Sequence, residues 1–159
     1  MVFSSSVFRH HILGLTIDDA IGEAIDKTAR MINCSWAESG GLGFELEKLA
    51  KLGVSADVEV NSLEAHADPL CFSFSGLKTS LKTFIIKNYS SMTKSDLAAT
   101  IQSVLFGHVA ARLKNCIEML SNAKIEFKQV SLIGGVASNC VLISLVEKLC
   151  RDHGKVLYV

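Results

Sequence analysis

Gly134-Gly135-Val136-Ala137-Ser138-Asn139 stands between a short apolar run, Val130-Ser131-Leu132-Ile133, and an amphipathic run from Cys140 to Asp152. The order reads as strand, glycine turn, helix. Gly154 then stops the helix, and Lys155 to Val159 reads as a second strand. Strand, helix and strand in that order predict a βαβ unit with parallel neighbouring strands, and hence an α/β fold. Two glycines let the backbone approach a ligand closely, because no Cβ intervenes. A helix start offers free N–H groups and a partial positive charge to an anion or a polar ligand. Asn139 adds a donor and an acceptor at that point. A tight turn with an N-terminal cap is the plainer reading of the same six residues.

The rest of the chain bounds what such a turn can serve. With 159 residues, 49% hydrophobic and 20% charged, the chain can bury a core and is not globally disordered. Lys+Arg and Asp+Glu both number 16, so any RNA contact must come from a local patch and not from overall charge. Cys34, Cys71, Cys116, Cys140 and Cys150 are odd in number and contain no C-x-x-C, which points to buried thiols in a reducing compartment. No apolar run is long enough for a membrane helix, so no membrane association is expected. Residues 1–11 are Ser-rich and lack the apolar centre of a secretory signal; they read as an unstructured leader.

Between leader and turn the pattern is mainly helical. Thr16 to Asn33 reads as a first helix, with Thr16-Ile17-Asp18-Asp19 as a capping box and Ile21, Ala24, Ile25, Ala29 and Ile32 as its buried stripe. Ser39 to Gly43 reads as a loop, and Phe44 to Leu52 as a short helix stopped by Gly53. Cys71 to Ser75 reads as a strand or ordered turn, followed by a helix from Leu77 to Asn88. Ser95 is expected to cap a long helix from Asp96 to about Leu120. The domain reading is a leader at 1–11, a helical part with its connection at 12–95, and a second part at 96–159 that carries the glycine turn. The chain ends inside its final strand, which suggests a fragment.

Three segments besides the turn offer chemistry. Asp19, Gly22, Glu23 and Asp26 recur at one helix face, opposite the isoleucine stripe. An interior glycine costs a helix about 1 kcal/mol relative to alanine, and a ligand or second backbone passing over Gly22 toward Asp26 would justify it. A carboxylate beside bare helix surface suits paired ribose hydroxyls; a solvated acidic face with a packing glycine is the alternative. Gly40, Gly41 and Gly43 could cradle a nucleotide through backbone N–H groups, or simply connect two helices. Phe72 to Thr79 sets aromatic, hydroxyl, glycine and lysine at a strand-to-helix turn, which suits RNA or phosphate; the alternative is a core turn with Phe72 and Phe74 buried. His10, His11, His66, His108 and His153 have no metal-site spacing, and no catalytic residue or metal ligand is assigned.

Together these segments resemble one family. Leu13-Gly14-x-Thr16-x-Asp18-Asp19-Ala20-x-Gly22-Glu23-Ala24-x-Asp26-Lys27 resembles the LGxTxDDAxGEAFDK motif of the tRNA N6-adenosine threonylcarbamoyltransferases. Phe72 to Thr79 is similar to that family's FSFSGLKT, Asp96 to Gln102 to its DIAASFQ, and Gly134 to Asn139 to its GGVAAN. The blocks cover most of residues 12–159 and look like the bacterial and organellar branch.

The resemblance implies a fragment of the actin-like ATPase/sugar-kinase fold, two lobes around a nucleotide cleft. It implies transfer of threonylcarbamoyl from threonylcarbamoyl-adenylate to N6 of adenosine 37, in tRNAs reading codons that start with A. Carried over by position, Asp26 binds the adenylate ribose and Asn139 the adenosine part. The glycines map to Gly41 and Gly43, with Gly40–Gly41 as the other register, and Glu38-Ser39 replaces the family's Tyr-Pro. The implied partners are tRNA, threonylcarbamoyl-adenylate, and a homodimer mate or accessory proteins of the pathway. The implied cofactor is a divalent metal held by an HxxxH pair and a distal Asp, neither of which is in this chain. The location is mitochondrial in a eukaryote, which is favoured, and cytoplasmic in a bacterium. The other reading is a non-catalytic nucleotide- or partner-binding remnant of a truncated gene model.

Overall fold

The computed structural model describes residues 1–36, 41–60 and 68–159. The described residues form an α/β arrangement of five α-helices and two small two-stranded sheets. The strands are β1 (Val2–Ser6), β2 (Arg9–Ile12), β3 (Gln129–Ser131) and β4 (Val156–Tyr158). The helices are α1 (Ile21–Met31), α2 (Gly41–Ala50), α3 (Ser75–Asn88), α4 (Lys94–Asn122) and α5 (Cys140–Asp152).

α4 is the spine. Leu97, Ala98, Ile101, Leu105 and Phe106 are among its buried side chains, and α1, α2, α3 and α5 all pack on it. Burial on several sides explains why its apolar residues do not keep to one stripe. Its cap is Thr93, not Ser95. The Thr93 hydroxyl accepts the Asp96 N–H while the Asp96 carboxylate takes up Thr93, a reciprocal box that needs the three-residue spacing Ser95 lacks. Asp96 also accepts the Val54 N–H at 2.8 Å, and Thr100 Oγ1 accepts the Ala56 N–H at 3.0 Å. The chain leaving α2 is thus stitched along the first turns of α4.

α1 presents the expected apolar stripe: Ala24, Ile25, Ala29 and Ile32 are buried with Thr28. Its start differs from expectation. The helix begins at Ile21 with Ala20 at the cap position and no side-chain cap, because Asp18 and Asp19 are drawn to another element. Thr16 Oγ1 donates to the Asp19 carbonyl and caps nothing.

Residues 1–11 are not an unstructured leader. β1 and β2 pair antiparallel as a hairpin, with Ser4 and His10 joined side chain to side chain at 2.8 Å. Met1, Phe3 and Leu13 pack on a small cluster of Leu70, Cys116 and Leu120. These apolar anchors seat the serine-rich hairpin. Beyond it, Gly14 meets the Leu70 carbonyl so closely that a Cβ would lie 2.0 Å from the oxygen.

At the other end β3 and β4 pair parallel, Val130 opposite Leu157, with α5 between them in sequence. Val146 and Cys150 of α5 are fully buried in the main core. All five cysteines are free thiols; Cys116 and Cys150 are buried, but Cys140 is exposed. Among the described residues no helix is long and apolar enough to cross a membrane.

Candidate functional site

A cavity of about 430 Å³ opens between α1, the start of α2 and the glycine turn, lined by Gly22, Ile25, Asp26, Gly43, Phe44, Glu47, Gly135, Val136, Ser138 and Asn139. Three of the four site residues expected from sequence line it: Asp26, Gly43 and Asn139. Gly41 does not. Gly41 has φ +72°, a left-handed conformation, and a Cβ there would stand 3.6 Å from the Trp36 ring. Its role is to turn the chain into α2. Leu42 and Gly43 lie inside that helix, where a loop had been expected; Ser39 and Gly40 lie outside the described residues.

The acidic face on α1 splits in two. Asp19 lies before the helix, where its carboxylate pairs with Lys78 of α3 and, at 2.9 Å, with Lys27. Lys78 and then Lys27 hold its carboxyl below the usual range. Glu23 pairs with Lys27 at 2.7 Å. Asp26 points elsewhere: it is half-buried at the cavity and makes no hydrogen bond or ion pair among the described residues. Gly22 lies under the glycine turn, with room for a methyl group. A Cβ there would stand 3.6 Å from Val136 Cγ2, so the glycine turn itself passes over Gly22. At Gly43 a Cβ would stand 3.5 Å from Ile25 Cγ2, likewise an ordinary contact.

The turn begins with Gly134 at φ +105°, a conformation that favours glycine, and winds through a 3₁₀ turn, Gly135–Ser138. Asn139 then caps α5: its Oδ1 accepts the Val141 and Leu142 N–H groups at 3.0 and 3.3 Å. The amide NH₂ is what the cap leaves for a ligand. The Cys140 N–H donates to Glu47 Oε1 at 3.3 Å. The first three N–H groups of α5 are therefore satisfied from within the protein. The helix start is not the open anion site that the sequence suggested.

Glu47 was not singled out from the sequence. It sits one helical turn beyond Gly43, and that spacing was the available signal. Its side chain is only 13% exposed and takes Lys51 at 3.1 Å as well as the Cys140 N–H and thiol. Burial alone would raise its carboxyl, but the Cys140 and Lys51 hydrogen bonds outweigh it and hold the group below its ordinary value. The cavity wall thus carries two carboxylates, Asp26 and Glu47, and no lysine, arginine or histidine. Ile25, Phe44 and Val136 supply its apolar surface. The combination suits a flat, largely uncharged group with hydroxyls to donate.

The FSFSGLKT segment lies apart from this cavity. Phe74 is buried and Phe72 half-buried; the two rings stack 6.2 Å apart, and both meet His108 edge-on. The segment is a core turn. Among the described residues no three His, Cys, Asp or Glu side chains converge as donors for a metal ion. The divalent metal implied by the resemblance has no donor set in them.

Fold and site together define an α/β protein with a mainly apolar cavity, bearing two carboxylates, between two helices and a glycine turn. A family model described as tRNA N6-adenosine threonylcarbamoyltransferase matches residues 1–159, and the chain belongs to that family. Similar proteins bear the same name: one from Rickettsia peacockii (strain Rustic), 33% identical over 151 residues, and one from Campylobacter jejuni subsp. doylei, 30% identical over 144. The first alignment covers 92% of this chain and 42% of the relative, the second 89% and 40%. The chain thus spans about two fifths of the length of these curated relatives. Both organisms are bacteria, which gives a mitochondrial location no support.

Proposed function

We propose that this chain forms the nucleoside-binding part of a tRNA threonylcarbamoyltransferase, in one half of a two-lobed, actin-like cleft. The supporting observation is the shared cavity: Asp26, Gly43 and Asn139, from three separate elements, line one space of about 430 Å³. In this reading the Asp26 carboxylate accepts the ribose hydroxyls of threonylcarbamoyl-adenylate. The Asn139 amide donates to the adenine side, while Ile25, Phe44 and Val136 cover the ring. Gly43 and Gly22 keep the floor low enough for the ligand to reach Asp26.

The reaction proposed for the whole protein is acyl transfer. N6 of adenosine 37 attacks the carbamoyl carbon, a C–N bond forms, the C–O bond to the adenylate phosphate breaks, and AMP leaves as N6 gives up a proton. Holding the adenylate by its nucleoside fixes where the carbamoyl carbon stands, which is a proximity effect. This chain's described residues supply binding and orientation. No step is assigned to a metal.

A titration of the chain with threonylcarbamoyl-adenylate, read by calorimetry, tests the proposal. Saturable binding that AMP displaces and cytidine monophosphate does not is the expected result. Absence of binding, or equal displacement by the pyrimidine nucleotide, overturns it.

A further inference from the structure

We infer that Glu47 is the positioning residue that holds the glycine turn against α2 and so sets the shape of the cavity. The inference rests on the nucleoside-binding reading for its consequence, but not for its structural content.

Three observations carry it. Glu47 is anchored at its base, because α2 packs on α1 and α4 and Leu46 beside it is fully buried. Its carboxylate bridges two elements 93 residues apart in sequence, accepting the Cys140 N–H at 3.3 Å and the Cys140 thiol. The residue it grips directly follows Asn139, whose Oδ1 caps the same helix start. The turn from Gly134 to Ser138 is also held by buried Ala137, by Val136 packed on the core and by its own hydrogen bonds, but Glu47 is the side chain that ties its junction with α5 to α2. Gly134 and Gly135 add no side-chain contact, and a Cβ at either would meet nothing within 4 Å. A charged acceptor on a helix N–H is also favoured by the helix dipole. With Glu47 removed, the Cys140 N–H would lose its acceptor, and the junction of turn and α5 would lose its tie to α2, leaving the Asn139 cap and the packing of Val136 and Ala137 to orient it.

Glu47 lines the cavity, so loss of binding in Glu47→Ala cannot by itself separate positioning from direct contact. Cys140 does not line it, and Glu47→Gln keeps an acceptor for the Cys140 N–H. The experiment is therefore a double-mutant cycle between Glu47→Ala and Cys140→Ala, with Glu47→Gln as the conservative variant. AMP binding is read by calorimetry, and hydrogen exchange is read at the Cys140, Val141 and Leu142 amides. Glu47→Ala is expected to speed exchange at the Cys140 amide at least tenfold and to weaken AMP binding about tenfold. Cys140→Ala should weaken binding less, and only while Glu47 is present; Glu47→Gln should restore most of both readouts. Unchanged Cys140 exchange in Glu47→Ala, or a loss of AMP binding in Glu47→Gln as large as in Glu47→Ala, would overturn the inference. If wild-type chain binds no AMP, the nucleoside reading fails, and the exchange arm still decides the role of Glu47.

Discussion

Asp18 Oδ2 accepts the Ser73 hydroxyl at 2.6 Å, across 55 residues of sequence, and the same carboxylate accepts the Phe74 N–H at 2.8 Å and the Ser75 N–H at 3.2 Å. The first aspartate of the Asp18-Asp19 pair thus caps α3 from outside, while the second takes Lys78 one turn along the same helix. Two family blocks, Leu13 to Lys27 and Phe72 to Thr79, are joined by these contacts and by the Thr16–Phe72 bridge.

Asp18→Ala should lower stability by about 1–2 kcal/mol, the usual loss on removing a helix cap. Burial works to raise the Asp18 carboxyl, but the hydrogen bonds from Ser73, Phe74 and Ser75 outweigh it and bring it to about 2, from 3.8. A depressed carboxylate stabilises the fold fully above its unfolded value, and the contribution is lost as pH falls through the folded one. Urea titrations should therefore show the difference between wild type and Asp18→Ala intact at pH 6 and shrinking between pH 3.8 and 2. A difference independent of pH would refute the assignment.

Gly53→Ala should cost about 1–3 kcal/mol, because its Cβ would lie 2.1 Å from the Ser95 carbonyl oxygen, backbone against backbone at the start of α4. Gly107→Ala is the control. It lies within α4, a Cβ there meets nothing within 4 Å, and the helix should gain about 0.5–1 kcal/mol. Opposite signs in thermal or urea unfolding are the expected outcome; two losses of equal size would contradict the close approach at Gly53.

Gly22→Ala should separate stability from binding. The added methyl makes an ordinary 3.6 Å contact with Val136, and at the second residue of α1 the helix gains no more than about 0.5 kcal/mol, so unfolding should shift to equal or slightly higher urea. The same methyl enters the cavity floor beside Asp26, and AMP affinity should fall. A variant that loses stability would mean that Val136 packs more tightly on Gly22 than its position shows.

Much of this was legible from spacing. The stripe from Ile21 to Ile32 and the order strand, turn, helix, strand at the end follow from periodicity and glycine placement, and the structure has both. Asp26 and Asn139 could be paired in advance only because of the family resemblance. Periodicity put Asp19 and Asp26 on one face. It could not tell that Lys78, brought by α3, would pull Asp19 out of the helix. Nor could it show that Glu47 would fill the anion position at α5, since that contact joins residues 93 apart. The hairpin at 2–12 was missed because its strands bury little of their own; its support comes from Leu70, Cys116 and Leu120 far along the chain.

The most direct measurement is calorimetric titration of AMP into wild type, Asp26→Ala and Asp19→Ala. A carboxylate accepting ribose hydroxyls contributes about 1.5–3 kcal/mol, so Asp26→Ala should weaken binding about tenfold to a hundredfold. Asp19→Ala removes the partner of Lys27 and Lys78 at the α1–α3 contact, outside the cavity lining, and should leave AMP affinity within about twofold of wild type, since additivity holds for sites without shared partners. Equal losses in the two variants, or no loss in Asp26→Ala, would contradict a nucleoside site built around Asp26.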